Sequence, residues 1–375
     1  MSDDIVIIGL AITSSWGNGH ATTYRSLVKG LHQRRRRVLF LEQDQPWYAR
    51  HRDAPESPYC ETQLYRDLAD LRLRFARRIA AADVVIVGSY VCDGREVCDL
   101  VLEQARGVRA FYDIDTPVTL SRLAADQCGY LRADQVPGFD IILSFAGGPA
   151  IERLQGEFGA RRAAPLYCSV DLDAYRPKVM RRSVDLGYMG TYSSDRQPAL
   201  EALLNEAARR LPSRSFMVVG AQYPEPLDWP RNVRRVQHLP PAQHADFYNR
   251  QRFTLNVTRA EMRRCGYSPS VRLFEAAACG APLISDEWPG LHEVFAPGVE
   301  ILTAGGAQDV IDVLTQLSEH ERLSIAAAAR ERVLETHSSV QRAAELESRI
   351  EDVKSCCSPR RAHARRTPEA RCALS

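Results

Sequence analysis

Four short stretches bring together residue types that do chemistry. The first is Thr13-Ser14-Ser15-Trp16-Gly17-Asn18-Gly19-His20-Ala21-Thr22. Gly17, Asn18 and Gly19 make a turn whose N–H groups would approach a phosphate or a sugar, or that serves only as a tight turn. His20 opens the next segment, where a near-neutral imidazole would act as a general base or simply bond its own loop. The second stretch, Phe111-Tyr112-Asp113-Ile114-Asp115-Thr116-Pro117, alternates two carboxylates, which on a strand share one face. Two acids are too few oxygen ligands for a hard cation, so orienting a histidine or capping the following helix suits them better than holding a metal.

The third stretch runs from Gly187 through Gly190 and Thr191 to Arg196, a strand passing into a small polar loop. The fourth includes Tyr267-Ser268-Pro269-Ser270-Val271-Arg272-Leu273-Phe274-Glu275 and continues to Cys279-Gly280-Ala281-Pro282. Ser268 or Ser270 would cap that helix and leave backbone N–H groups for an anion. Arg196 and Arg272 would add charge to a diphosphate, and Glu275 would accept from ribose hydroxyls. The competing reading makes Arg272 and Glu275 an ordinary surface ion pair.

These residues need a frame. In the first half, apolar runs at Ile5–Ile12, Val38–Glu42, Val84–Gly88, Arg109–Asp113 and Ile141–Phe145 read as strands. Amphipathic stretches at His20–His32, Thr62–Ala81, Arg95–Arg106, Val118–Asp126 and Pro149–Phe158 read as helices between them, and Asp44–Tyr59 as a loop rich in proline and aromatics. The pattern breaks near Cys168–Pro177 and restarts. Strands follow at Val184–Met189, Phe216–Gly220, Phe253–Val257, Pro282–Ser285 and Glu300–Leu302. Helices follow at Pro198–Arg210, Ala242–Gln251, Ser270–Cys279 and Ala307–Leu317, with a helical tail to about Lys354. Such alternation predicts two doubly wound α/β domains, with ligands beyond the carboxyl ends of the strands in the cleft between them. The expected division is 1–170, 171–337, a C-terminal helix 338–354 packing back on the first domain, and a basic disordered tail 355–375.

Composition narrows the function classes. The chain has 375 residues, 45% of them hydrophobic and 26% charged, as in ordinary globular proteins. Lys and Arg number 49 against 47 Asp and Glu, a formal charge of +2, so bulk charge recruits neither nucleic acid nor membrane. Arg34–Arg37 reads as a solvated helix end. The ten cysteines include no CxxC pair, which points away from a metal or disulfide framework and toward a reducing cytosol. No apolar run approaches the roughly 18 residues of a membrane span, and Ile5–Ile12 is too short for a signal peptide; a cytoplasmic protein without an integral membrane segment is expected. An NAD(P)-dependent oxidoreductase is a third reading: Glu42 or Asp44 follows the next strand as a dinucleotide site requires, but Thr22 replaces the third fingerprint glycine.

The Gly17–His20 loop, the linker Val170-Asp171…Tyr175-Arg176-Pro177 and the run Arg272–Pro282 together resemble glycosyltransferases of the two-Rossmann-domain class (GT-B). Among these the chain is most similar to the bacterial group related to the spore-maturation CgeB proteins, with a C-terminal domain of the "glycosyl transferases group 1" type. The similarity spans roughly residues 4–350. It implies transfer of a sugar from a nucleotide-sugar donor on the second domain to an unidentified acceptor (glycan, small molecule or protein) on the first, with no cofactor and no metal. By resemblance, Arg196 meets the donor diphosphate and Glu275 the nucleotide ribose. Tyr267 occupies the position where many group-1 relatives carry a second, sugar-contacting glutamate. The Gly19-His20 placement resembles the base of inverting enzymes, with Asp113 or Asp115 steadying the imidazolium. The alternative is a protein of the same fold that binds nucleotide sugars, or assembles with partners, without turnover.

Overall fold

Runs such as Ile5-Val6-Ile7-Ile8 and Val84-Val85-Ile86-Val87 have no polar face, and strands of that kind are stable only with helices on both sides. The structure, a computed structural model, describes residues 4–16 and 19–357. Its first sheet contains β1 (Ile5–Gly9), β2 (Val38–Gln43), β3 (Glu61–Tyr65), β4 (Val84–Gly88), β5 (Val108–Asp113), β6 (Ile141–Ser144) and β7 (Ala163–Pro165), in the order β3-β2-β1-β4-β5-β6-β7. The second contains β8 (Val184–Met189), β9 (Phe216–Val219), β10 (Val233–Val236), β11 (Gln251–Asn256), β12 (Leu283–Ser285) and β13 (Leu302–Thr303), ordered β10-β9-β8-β11-β12-β13. Neighbouring strands are parallel throughout both sheets. Each sheet has an apolar core on either face.

The chain passes between the domains near residue 170 and returns near 338. There Val170 and Ser338 form a parallel bridge, with Val170 N donating to the His337 carbonyl at 3.0 Å and Ser339 N to the Val170 carbonyl at 3.2 Å. The helix Ser339–Cys357 then buries Ala343, Leu346, Ile350 and Val353 against Leu27, Val28 and Leu31 of the helix His20–Gln33. The linker is tied down as well. Lys29, buried on that first helix, donates to Asp171 and Asp173 at 2.6 Å each.

Several elements differ from the sequence reading. Residues 62–81 are not one helix: Thr62–Tyr65 belong to β3, and the helix is Leu68–Ala81, started by Asp67, whose carboxylate accepts from Asp70 N at 2.8 Å. The strands β3, β7 and β10 were not anticipated, and the 44–59 loop holds a short helix, Pro46–Ala49. The Arg34–Arg37 run is not merely solvated. Arg34 and Arg36 grip Glu347 of the last helix at 2.7 and 2.6 Å, and Arg37 reaches Asp4 at 3.1 Å. The helical tail is two helices, Glu319–Thr336 and Ser339–Cys357, so 355–357 are helical rather than tail; residues 358–375 lie outside the described residues. No described helix is long and apolar enough to cross a membrane.

Candidate functional site

In the second sheet the strand order reverses between β8 and β11, and the crevice beyond their carboxyl ends is where such sheets take ligands. Beside that switch point, glycine draws the ends of β8 and β9 together. Gly190 N donates to the Val219 carbonyl at 2.8 Å, and a Cβ on Gly220 would fall 1.9 Å from the Gly190 oxygen, so no larger residue fits there. A cleft of about 700 Å³ opens at this point, within the size range of small-molecule sites. Its second-domain wall includes Gly190, Thr191, Ser270, Arg272 and Glu275; its first-domain wall is Ser15, Trp16, Gly19, Thr22, Trp47 and Tyr48.

The helix Val271–Ala278 starts at this cleft. Ser270 takes the N-cap position with extended backbone, but its hydroxyl makes no cap hydrogen bond, leaving the first-turn N–H groups of the helix without a side-chain acceptor. Arg272 and Glu275 do not form the alternative ion pair, because both are buried and separately engaged. Arg272 donates to the Met189 carbonyl and, at 2.8 Å, to Asn256 Oδ1, so it is pinned to the ends of β8 and β11, and its guanidinium lies 4.9 Å from the centre of the Tyr188 ring. Glu275 accepts from the Tyr248 hydroxyl at 2.8 Å. Burial and the Glu275 charge both push the Tyr248 phenol up, so it stays a donor.

Other expected residues stand elsewhere. Arg196 does not line the cleft; its Nη1 donates to the Tyr188 hydroxyl at 3.1 Å and lies close behind Gly190. Tyr267 is not beside the ligand space either. Its ring is wedged between the domains, where a Cβ on Gly148 or Gly290 would fall 2.5 or 2.4 Å from it, and its carbonyl accepts from Gly147 N at 2.9 Å. Ser268 is buried outside the cleft wall. Gly17 and Asn18 lie outside the described residues.

The first-domain acids also differ from expectation. Glu42 is fully buried and accepts from Ile12 N, Thr13 N and the Thr13 hydroxyl at 2.7, 2.9 and 2.6 Å, while Asp44 pairs with Arg52. Neither is left to hold a nicotinamide dinucleotide's ribose, so the oxidoreductase reading loses its acid. Asp113 points into the domain, where its Oδ1 accepts from the Thr119 hydroxyl at 2.8 Å and Asp115 N at 3.2 Å, and burial pushes its pKa up to about 7. Neither it nor Asp115 is hydrogen-bonded to His20. Tyr90 stands between: its ring meets His20 edge-on at 5.4 Å and its hydroxyl donates to Asp115 Oδ2 at 2.9 Å. Asp115 also faces Arg259 of the second domain at 3.8 Å. His20 is itself not among the cleft-lining residues, although Gly19 and Thr22 on either side of it are; its Nδ1 is buried without a described partner, and burial lowers the imidazole pKa to about 4, so the ring is neutral near pH 7.

Sequence reasoning missed Trp47, Tyr48, Tyr248 and the Gln237–Leu239 segment, which line the cleft, and Tyr90, which stands between His20 and Asp115. The aromatic content of the 44–59 loop was the available signal for Trp47 and Tyr48; Tyr90 follows a strand end in a left-handed conformation, φ 63°, which sequence does not announce. Among the described residues no three His, Cys, Asp or Glu side chains gather as a metal-holding group.

Residues 196–348 match the model of a glycosyl transferase-like family. No curated protein matches the chain in sequence. In three dimensions it is similar to sucrose-phosphate synthase from Thermosynechococcus elongatus, with a TM-score of 0.65 at 13% identity over 94% of this chain and 100% of that one. It is also similar to Anabaena HepE in complex with UDP and glucose, with a TM-score of 0.66 at 12% identity over 92% and 99%. A third likeness is to the DNA-modifying enzyme β-glucosyltransferase, TM-score 0.63 at 11% identity over 93% and 99%. The fold is GT-B: two parallel-sheet α/β domains facing a cleft.

Proposed function

We propose that the protein transfers a sugar from a nucleotide-sugar donor, bound on the second domain, to an acceptor on the first, acting in the cytoplasm and akin to the CgeB-related group. The observation that carries this reading is the uncapped start of the helix Val271–Ala278, opening into the cleft at the switch point of the second sheet, with Arg272 and Glu275 on the cleft wall. First-turn N–H groups and a pinned guanidinium suit a diphosphate, in the ground state and as the charge of the leaving group grows. Those groups supply the positive field that other transferases take from a cation, so no metal is required. Glu275, held by Tyr248, accepts from the nucleotide ribose, and Gly190 and Thr191 let the donor approach the strand ends. His20, neutral near pH 7, takes the acceptor proton, while Asp115 acts through Tyr90 rather than directly.

The spacing of His20 from both aspartates favours one second reading, a protein that binds nucleotide sugars without turnover. Calorimetry with UDP and UDP-glucose, followed by a hydrolysis assay in EDTA, separates the two; UDP-glucose is the first donor to try because HepE has been described in complex with it. Transfer predicts binding and slow metal-independent release of UDP. Binding without release supports the silent protein, and absence of both removes the donor site.

A further inference from the structure

The two walls of the cleft differ in kind. The second-domain wall carries Arg272, Glu275, His238 and His244, whereas the six first-domain residues include no charged side chain. Charged groups behind that wall are already engaged: Glu42 holds the loop after β1, Arg25 and Asp53 form a two-point pair at 2.9 Å, and Arg52 meets Asp44. What this wall presents instead is aromatic surface. Trp16 and Trp47 remain 47% and 49% exposed, two of the few large apolar side chains left in water. Trp16 stacks on His51 with centroids 4.5 Å apart and planes 11° apart, which fixes the indole plane. Trp47 packs edge-on against Tyr48, centroids 6.0 Å apart. Thr22 places a hydroxyl on the same wall, and the Ser15 hydroxyl, which donates to Asp53 Oδ2 at 2.9 Å, keeps its lone pairs to accept.

Exposed indoles at a cleft, one of them held in a fixed plane, are binding surface rather than core. A phosphate or carboxylate gains nothing from a wall without an uncommitted cation. A purely aromatic ligand would satisfy the indoles and leave the hydroxyls unused. A saccharide ring matches both, because its C–H face lies flat on an indole while its rim of hydroxyls bonds outward. We propose that the acceptor is an uncharged saccharide whose ring packs on Trp47 and Trp16. This inference rests on the transfer reading above for the word acceptor, but the platform itself is tested independently.

The probes are maltose, cellobiose, lactose and maltotriose, with glucose 6-phosphate, glucuronate and 4-nitrophenol as contrasts. Each is titrated into the full chain with and without saturating UDP, followed by tryptophan fluorescence and saturation-transfer NMR. At least one neutral saccharide should bind, and Trp47→Ala and Trp16→Ala should each weaken it at least tenfold, with Trp47→Phe restoring part of the loss. UDP affinity in these variants should stay within twofold of the parent, which also shows that they fold. The proposal is overturned if no neutral saccharide binds, if both alanine variants bind it as the parent does, or if a charged or aromatic contrast binds more tightly. Saccharide binding without UDP binding would keep the platform and remove the donor reading; the reverse would keep the donor site and remove the platform.

Discussion

Replacing Asp113 by asparagine should abolish a pH-dependent cost to stability. Asp113 is 1% exposed, and burial, outweighing its bonds from Thr119 and Asp115 N, raises its pKa to about 7. In the unfolded chain the same group titrates near ~3.9. The folded protein therefore holds the extra proton between those values, and stability falls as pH rises through them. A separation of about 3 units at ~1.4 kcal/mol each gives about 4 kcal/mol, fully present below pH ~4 and lost above pH ~7. The amide introduced by Asp113→Asn would keep the Oδ1 acceptor for Thr119 and Asp115 N, and its uncharged NH2 would stand where Oδ2 has no described partner. Any fixed cost of that amide is the same at every pH. His20 and His337, whose folded pKa values burial lowers to about 4 and about 3, add stability as pH rises toward ~6.5, equally in both proteins. Urea unfolding of parent and Asp113→Asn at pH 4.5, 6, 7 and 8.5 isolates the carboxyl, since the difference between the two curves cancels the histidines. That difference should move in favour of the variant by about 2–4 kcal/mol from the lowest pH to the highest. A difference independent of pH, or one moving the other way, would refute the buried-carboxyl argument.

Further outcomes follow for three residues of the site and its supports. Glu275→Gln, which keeps an acceptor for Tyr248, should weaken UDP binding by about 1–3 kcal/mol by calorimetry; Glu275→Ala should in addition lower the unfolding temperature, because it strands the Tyr248 hydroxyl in the core. His20→Ala should slow turnover by about 10²–10⁴-fold with donor affinity unchanged. In the parent, the rate should stay level from pH 6 to 8 and fall only as acid approaches the lowered pKa of about 4, so an inflection near 6.5 would show that a different group is titrating. Lys29→Met should cost about 1–3 kcal/mol in thermal unfolding, since a buried ammonium and its two linker carboxylates lose each other, although Asp173 keeps most of its hydration.

What the sequence disclosed follows from how each segment meets its surroundings. The central strands β1, β4, β5, β8 and β11 are covered on both faces, so their apolar runs are unmistakable. The three unanticipated strands are edges: β3 reads Glu-Thr-Gln-Leu-Tyr, β10 Val-Arg-Arg-Val, and β7 is three residues ending in Pro165. An edge has one open flank and tolerates charge and proline, which erases its signature. In the site, Gly190, Thr191, Ser270, Arg272 and Glu275 were legible because their placement follows locally from a strand end and a helix start. Tyr267 and Asp113 were misplaced because their side chains are claimed by partners outside their own segments, Gly148 and Gly290 for one and Thr119's helix for the other. No local pattern encodes those claims.

The paired crossing at Val170 and Ser338 has a mechanical meaning. Two polypeptide strands run side by side between the domains and are stitched together by His337 and Ser339 backbone bonds, as two knuckles on one pin are. A single tether would permit twisting and sliding; a stitched pair leaves one easy rotation, about the line joining them. The last helix is bolted to the first domain after Ser338, and Asp171 and Asp173, just past Val170, are moored to Lys29, so the pin itself stays with the first domain. An opening of the second domain would turn about that line like a leaf, and contacts away from the pin, among them Arg259 with Asp115 and Tyr267 with Gly147, would have to part. Entry and exit at the cleft would then share one coordinate, the angle of that leaf.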